Sequence, residues 1–150
     1  MKTGYRRIFT AACTLLLAAI LSVGAAAAER RAVKASVANI RSGPGTRYAI
    51  LWTVEKYFPL QIIKKSGKWY RFVDFEGDKG WIYASLTSKT PSVVVRKGTC
   101  NVRSGPGLKN PVVFTAERGV PFRVLKRTGK WIRVQHADGD KGWIYGALVW

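Results

Sequence analysis

The sequence has few of the side chains that perform catalysis or hold metals. Its 150 residues include one His and two Cys. A metal centre usually draws on several Cys or His side chains, and His136, Cys13 and Cys100 are scattered along the chain. No phosphate-binding loop or dinucleotide fingerprint is present. We therefore expect neither a catalytic site nor a bound metal or cofactor.

Acidic residues are scarce as well. The chain carries 8 Asp and Glu against 26 Lys and Arg, which gives a formal net charge of +18. Such a chain is attracted to polyanions, whether nucleic acid, anionic lipid or an acidic cell-wall polymer. Hydrophobic residues make up 47% of the composition, enough to build packed cores and to argue against disorder of the whole chain.

The first 28 residues have the pattern of a secretory signal peptide. A positive segment precedes a mostly apolar run over 8–23, and Ala26 and Ala28 occupy the −3 and −1 positions of a cleavage site. The alternative is a permanent membrane anchor, but the apolar run is short for a span of about 20 residues. We expect cleavage after Ala28, a periplasmic or secreted protein without a permanent membrane span, and no cytosolic nucleic acid as partner. Cleavage would leave Cys100 as the one cysteine, so no intramolecular disulfide is expected.

An internal repeat covers nearly all of the remaining chain. Asn39–Gly45 recurs at 101–107, Gly67–Trp69 at 129–131 and Gly77–Tyr83 at 139–145. Aligning 33–88 with 95–150 at a constant offset of 62 residues, without a gap, gives 23 identities in 56 positions. This regularity indicates a tandem duplication. We predict domains at 29–88 and 91–150, joined by a short polar linker that contains Pro91.

Each copy has the pattern of a β domain. In the first copy, runs rich in branched and aromatic residues cover 58–65, 68–74 and 79–83, and glycine-containing turns separate them. No window of 11 or more residues after the signal peptide shows a convincing helical period. Short strands with glycine-rich turns favour a small barrel or sandwich.

The motifs, taken in order, resemble a known family. Asn39-Ile-Arg-Ser-Gly-Pro-Gly45, then Gly67-Lys-Trp-Tyr70, then Gly80-Trp-Ile-Tyr83 resembles the run of the bacterial SH3 domain family, and the second copy repeats it. The resemblance implies an all-β protein of two tandem small SH3-like β-barrels, each with five to seven strands. It also implies an extracytoplasmic role, commonly recognition of the cell wall or of a protein partner.

Several positions are candidates for contact with a ligand. Arg41 and Arg103 precede the Ser-Gly-Pro-Gly loop and could pair with an acidic turn residue such as Asp78 or point at a ligand. Trp52 and Tyr57 depart from the family pattern, which implies a small or polar residue and a glycine there. Aromatic residues at such positions either fill the interface between barrels, which we favour for Trp52, or stack on a ligand. The full predicted ligand-binding set is Arg41, Arg47, Tyr48, Trp52, Tyr57, Tyr83, Arg103, Lys109, Phe114 and Tyr145.

The remaining tryptophans are assigned structural roles. Trp81 and Trp143 are expected in the barrel cores, because tryptophan is usually highly buried, and Trp69 and Trp131 are expected to be similar but more exposed. Trp150 is expected to cap the second barrel.

These observations favour an exported, non-catalytic protein that binds peptidoglycan or another envelope polymer. Sugars offer rings for aromatic stacking, and peptide carboxylates suit Arg and Lys. Two copies would add avidity if both engage one strand. Two alternatives remain open: a periplasmic adaptor that binds a protein partner, or a general polyanion binder whose affinity falls with salt.

Overall fold

The computed structural model describes residues 27–150, and these form an all-β protein with two separate sheets. Most of the predicted signal peptide, residues 1–26, lies outside the described residues. Within 27–150, none of the helical segments has the length and hydropathy needed to cross a membrane. The strands are β1 (Arg30–Val33), β2 (Val37–Arg41), β3 (Ile50–Glu55), β4 (Pro59–Ser66), β5 (Trp69–Val73), β6 (Lys79–Tyr83), β7 (Thr87–Ser88), β8 (Ser92–Val94), β9 (Cys100–Arg103), β10 (Val112–Ala116), β11 (Pro121–Thr128), β12 (Trp131–Gln135) and β13 (Lys141–Tyr145).

The two sheets have the same antiparallel topology. The first has the order β3-β2-β6-β5-β4-β1-β7 and the second the order β10-β9-β13-β12-β11-β8. A short 3₁₀ turn follows the Gly-Trp-Ile-Tyr strand in each copy, at Ala84–Leu86 and Gly146–Leu148. Seven and six strands agree with the five to seven that the family resemblance implies.

Each sheet curls around its own hydrophobic core. In the first copy, one cluster of buried side chains draws on β1 through β6, including the edge strand β3. Strands at opposite ends of the sheet order thus share one core, as a barrel requires. Phe72, Leu60 and Ile82 are fully buried, and burying each such side chain is worth about 1.5–3 kcal/mol.

The second core has the same layout with different side chains. Nine buried positions of the first core have a counterpart in the second copy, and two of the nine, Val33 and Ile82, keep the same residue. Where the first copy has Leu60 and Phe72, the second has Phe122 and Val134. One side chain grows and the other shrinks, so the changes in volume partly offset each other, and cores tolerate such exchanges.

The two barrels share an apolar seam. Val93 and Val95 pack in the second core, whereas Val94 between them packs in the first. The side chain of Trp150 also packs against the first core, and the guanidinium of Arg30 lies 3.9 Å from the Trp150 ring centroid. The expectation that Trp150 caps the second barrel is therefore wrong: its backbone pairs with Val94, and that pairing aims its ring at the first barrel.

A polar contact joins the barrels at another point. Arg118 donates to Glu76 Oε1 at 2.6 Å, and its guanidinium lies 5.3 Å from the Phe75 ring centroid. Both charged side chains are about half exposed, so the ion pair is worth at most about 1 kcal/mol. The apolar seam consequently contributes more to the relative orientation of the barrels than this ion pair does.

The structure overturns the expectation that Trp81 and Trp143 belong to the cores. Gly80 and Ile82 are buried, so the alternation of a strand places Trp81 on the outer side, where it is half-buried. Any side chain at Gly80 would overlap Ile40, and one at Gly142 would lie 2.9 Å from the backbone oxygen of Arg103. The close approach of two strands therefore reserves the inward position for glycine and turns the tryptophan outward.

Candidate functional site

The arginine before each Ser-Gly-Pro-Gly loop holds that loop in place. Arg41 Nη1 donates to the carbonyl oxygens of Thr46 and Tyr48, at 3.0 and 2.8 Å. Arg103 makes the equivalent pair of bonds in the second copy, at 3.2 and 2.9 Å. The structure thus gives Arg41 a third role in place of the suggested pairing with Asp78. Binding of a ligand by the remaining guanidinium edge stays a prediction.

The tip of the first loop is built from stacked side chains. The ring of Tyr48 covers Gly43 so closely that a Cβ there would overlap it. The guanidinium of Arg47 lies 5.1 Å from the centroid of that ring. In the second copy, Asn110 takes the place of the ring, and Lys109 is exposed beside it. The predicted residues Arg47, Tyr48 and Lys109 therefore lie on accessible loops whose surfaces differ.

Three adjacent strands in each copy present what we call the outer face. It consists of the outward side chains of β2, β6 and β5 in the first copy and of β9, β13 and β12, with Thr99 just before β9, in the second. Direct pairing holds these strands in register. Trp81 lies opposite both Arg41 and Arg71, on its two neighbouring strands, and Trp69 lies opposite Tyr83. In the first copy the outer face comprises Val37, Asn39, Arg41, Trp69, Arg71, Val73, Lys79, Trp81 and Tyr83.

An aromatic pair forms one end of the outer face in both copies. The ring centroids of Trp69 and Tyr83 are 5.4 Å apart, and those of Trp131 and Tyr145 are 5.7 Å apart. In the first copy, a groove of about 560 Å³ runs between this pair and the Ser-Gly-Pro-Gly loop, with Asn39 among its lining residues. The fold thus brings the predicted residues Tyr83 and Arg41 to one groove.

The outer face is positively charged, and three of its nine side chains in each copy are aromatic. Each copy places two arginines and one lysine there, and none of its nine side chains is acidic. Cations beside exposed aromatic rings suit a ligand that combines carboxylates with flat apolar surfaces, because guanidinium groups bind carboxylates in a fork geometry and rings offer a face for stacking.

The two copies keep the same residues more often on the outer face than in the cores. Of its nine positions, seven are identical between copies, and only Val37 and Val73 are replaced. Of the nine core positions, only two are identical. Core packing needs apolar side chains of suitable total volume. On the outer face, Arg41 is repeated at 103 with the same loop-holding hydrogen bonds, whereas no side-chain hydrogen bond or ion pair among the described residues accounts for the repetition of Arg71 and Trp81. The predicted ligand-binding set omits Trp69, Arg71 and Trp81. Sequence patterns favour structural roles for the two tryptophans, and no motif singles out Arg71.

Trp52 and Phe114 occupy equivalent places at the rim of each core. Trp52 packs edge-to-face on Phe72 with 6.4 Å between centroids, and Phe114 lies 6.3 Å from Phe122. Trp52 packs against the first core, and Gly119 of the second barrel borders the same depression, so the preference for an interface role stays a prediction. Ligand contact by the exposed parts of Trp52 and Phe114 stays a prediction.

Tyr57 has the backbone conformation that its family position implies. Its φ is 70°, the one positive value at a non-glycine residue in the described part of the chain, and its counterpart Gly119 has φ 91°. The left-handed conformation costs about 1 kcal/mol or more at a non-glycine residue. Lys56 Nζ lies 5.3 Å from the Tyr57 ring centroid. A role of Tyr57 in binding stays a prediction.

The one cysteine and the one histidine of the described residues have local structural partners. The thiol of Cys100 is buried, donates to the carbonyl oxygen of Lys97 at 3.2 Å, and has its pKa raised by that burial. A raised pKa disfavours the thiolate that a nucleophile needs. His136 Nδ1 lies 2.9 Å from Asp138 Oδ2 in an exposed turn. Within 27–150, no three His, Cys, Asp or Glu side chains are grouped so as to hold a metal ion.

Comparison with curated proteins finds relatives that are much longer than this chain. The putative N-acetylmuramoyl-L-alanine amidase YrvJ of Bacillus subtilis is 29% identical over 153 aligned positions, covering 95% of this chain and 29% of that protein. The probable cell wall amidase LytH of Staphylococcus epidermidis is 33% identical over 66 residues, covering 43% of this chain and 23% of that protein. The chain therefore spans less than a third of the length of either relative.

Solved structures and protein families were compared as well, and the family model assigns the chain. An NlpC/P60 family protein from Bacillus cereus aligns with a TM-score of 0.39 and 13% identity, over 81% of this chain and 56% of that chain. The bacterial SH3 domain family matches residues 34–89 and again residues 96–150. Since these two segments make up most of the chain, the protein belongs to the bacterial SH3 domain family and carries two tandem copies of its domain.

Proposed function

We propose that this protein is a non-catalytic module that binds the bacterial cell wall, with peptidoglycan as the polymer and the two outer faces as the contact surfaces. The observation that supports this most is the repetition of Asn, Arg, Trp and Tyr side chains on both outer faces while the cores diverged. One relative is named as a putative N-acetylmuramoyl-L-alanine amidase and another as a probable cell wall amidase, which makes the same polymer a natural ligand for the segment of them that aligns with this chain.

The chemistry of the outer face matches that of peptidoglycan. Trp69, Trp81 and Tyr83 offer ring surface to sugars, and Arg41 and Arg71 offer guanidinium groups to the carboxylates of stem peptides. Two such faces on one chain, held by the apolar seam, would raise overall avidity if the spacing suits one polymer strand. An exported location follows from this proposal and from the predicted signal peptide.

The absence of a catalytic role is part of the proposal. The buried thiol of Cys100 donates to the carbonyl oxygen of Lys97, whereas His136 pairs with Asp138 and packs edge-to-face on Phe122. Each side chain thus has a structural partner other than the one that a nucleophile–base pair would require. Amidase activity in the longer relatives is a property of those proteins, of which this chain covers less than a third.

Co-sedimentation with purified peptidoglycan tests the proposal. Residues 29–150, which include both described barrels, are mixed with sacculi over a salt series up to about 1 M, where the Debye length is about 3 Å. We expect binding to persist at high salt because stacking is not screened. The double variant Trp81→Ala/Trp143→Ala should lose about tenfold in affinity, equal to about 1.4 kcal/mol.

A matched control separates the outer face from general apolar surface. Leu51 and Val113 occupy equivalent positions on the edge strands, and each is 50% exposed, so Leu51→Ala/Val113→Ala removes apolar surface outside the outer face and should bind like wild type. Equal losses in both double variants would contradict the role of the outer face. No sedimentation at any salt would overturn wall binding and favour a protein partner.

A further inference from the structure

Both barrels contribute to a cleft that the outer faces do not include. Its volume is about 360 Å³, and it lies between β1 of the first barrel, the linker and the second barrel. The indole of Trp150 forms one wall, and Ser88 holds the equivalent position in the first copy. The cleft therefore exists only because the two domains are joined in tandem.

Four basic side chains line this cleft, and one of them, Arg31, pairs with Glu29. The other three are Arg30 from β1, Lys89 from the linker and Arg127 from β11. In the described part of the chain, none of the three forms a salt bridge. The nearby carboxylate of Glu29 is already shared between Arg31, at 3.1 Å, and Lys65, at 2.7 Å.

The arginine side chains are close enough to repel one another. The pKa of Arg30 is lowered, first by its desolvation at the cleft and second by the positive charge of Arg127. Arg30 is also held in place, because its guanidinium stacks on the Trp150 ring with 3.9 Å to the centroid. When a guanidinium stacks on an aromatic ring, its N–H groups point outward in the guanidinium's own plane and stay free to donate hydrogen bonds.

We propose that this cleft is a binding site for a multiply charged phosphate group, held by Arg30, Lys89 and Arg127 against the Trp150 ring. Within residues 27–150, Arg30, Lys89 and Arg127 form no salt bridge, and one carboxylate, that of Glu29, lies near a cleft lined by four cations. This excess of positive charge suits a ligand that carries more than one negative charge. Phosphate groups accept paired hydrogen bonds from guanidinium. Bound phosphate would also relieve the repulsion between Arg30 and Arg127.

Calorimetric titration of residues 29–150 with inorganic pyrophosphate at constant ionic strength tests the site. We expect saturable binding with one site per chain and at least a tenfold loss of affinity in Arg127→Ala. The control is Lys126→Ala, which removes the same charge from the same strand but outside the cleft. Binding should also change the tryptophan fluorescence of the wild type and not that of Trp150→Phe.

Two results would overturn the proposal: no saturable binding of pyrophosphate, or equal losses in Arg127→Ala and Lys126→Ala, which would show attraction to bulk charge. Vesicles containing phosphatidylglycerol distinguish the source of the phosphate. Sedimentation with vesicles that depends on Arg127 would support the site with a lipid phosphate. Binding of pyrophosphate without such sedimentation would support it with a soluble or polymer-borne phosphate. Neither result depends on the binding of sacculi.

Discussion

The apolar seam makes a quantitative prediction about how the two barrels unfold. The perturbation is Trp150→Ser, because Ser88 occupies the equivalent backbone position in the first copy and serine is therefore compatible with the local fold. The change removes the indole from the first core and from the Arg30 guanidinium. The outer faces are left intact.

The expected cost follows from burial. Truncating a fully buried tryptophan costs about 3–5 kcal/mol, and Trp150 is half-buried, so the packing loss is about 2 kcal/mol. Loss of the stacked Arg30 adds about 0.5–1 kcal/mol. Glu76→Gln breaks the half-exposed ion pair with Arg118 and should cost less than about 1 kcal/mol. The apolar contact should therefore dominate the coupling between barrels.

Urea denaturation and scanning calorimetry measure both quantities. We expect the wild type to unfold in one transition, and Trp150→Ser to lose about 2–3 kcal/mol and to unfold in two separable steps as the barrels uncouple. Trp131→Ser is the control, because Trp131 lies on the outer face of the same barrel and should leave one transition. A cost for Glu76→Gln equal to or above that for Trp150→Ser would refute the reasoning.

Two further predictions concern single positions. Burial raises the pKa of Asp74 above its ordinary value of 3.8, even though its Oδ1 accepts the backbone N–H groups of Glu76 and Asp78. Because the folded protein favours the protonated carboxyl, ionisation of Asp74 lowers the stability of the fold as pH rises from below 3.8 toward neutral. Asp74→Asn keeps the acceptor and removes the charge, so denaturation at pH 7 should show it equal to wild type or up to about 1 kcal/mol more stable, and a loss above 1 kcal/mol would contradict this. Gly142→Ala places a Cβ 2.9 Å from the backbone oxygen of Arg103 and should lower the free energy of unfolding by about 1–3 kcal/mol through overpacking. Lys141→Ala, at an exposed neighbouring position, is the control. An unchanged melting temperature in Gly142→Ala would rule out the close contact.

Much of the fold follows from local sequence signals. The repeat, the β pattern and the glycine turns suffice to predict two small barrels, because alternation and turn chemistry act over a few residues. The strand over Lys79–Tyr83 has the bounds that the pattern predicts. The candidate site follows less completely from the sequence. The predicted ligand-binding set contains Arg41 and Tyr83 but not Trp69, Arg71 or Trp81.

The omission of Trp81 has a physical cause. A five-residue strand such as Lys79–Tyr83 reads equally well with Trp81 inward or outward, and the apolar character of tryptophan favours the inward choice. The close approach of Gly80 to Ile40 makes Gly80 the inward residue and turns Trp81 outward. Ile40 belongs to a strand some 40 positions earlier in the chain. Residues distant in sequence set which face is buried.

The sequence by itself determined that this chain has two copies of one β domain, that it is strongly basic, and that it resembles the bacterial SH3 family, because composition, repeats and motifs are properties of the linear chain. Only the tertiary structure decided which tryptophans face outward, that Trp150 packs on the neighbouring barrel, and that Arg30, Lys89 and Arg127 meet in one cleft. These features depend on the inward or outward phase of each strand and on how two curled sheets are placed against each other, and both are set by packing between segments far apart in the chain.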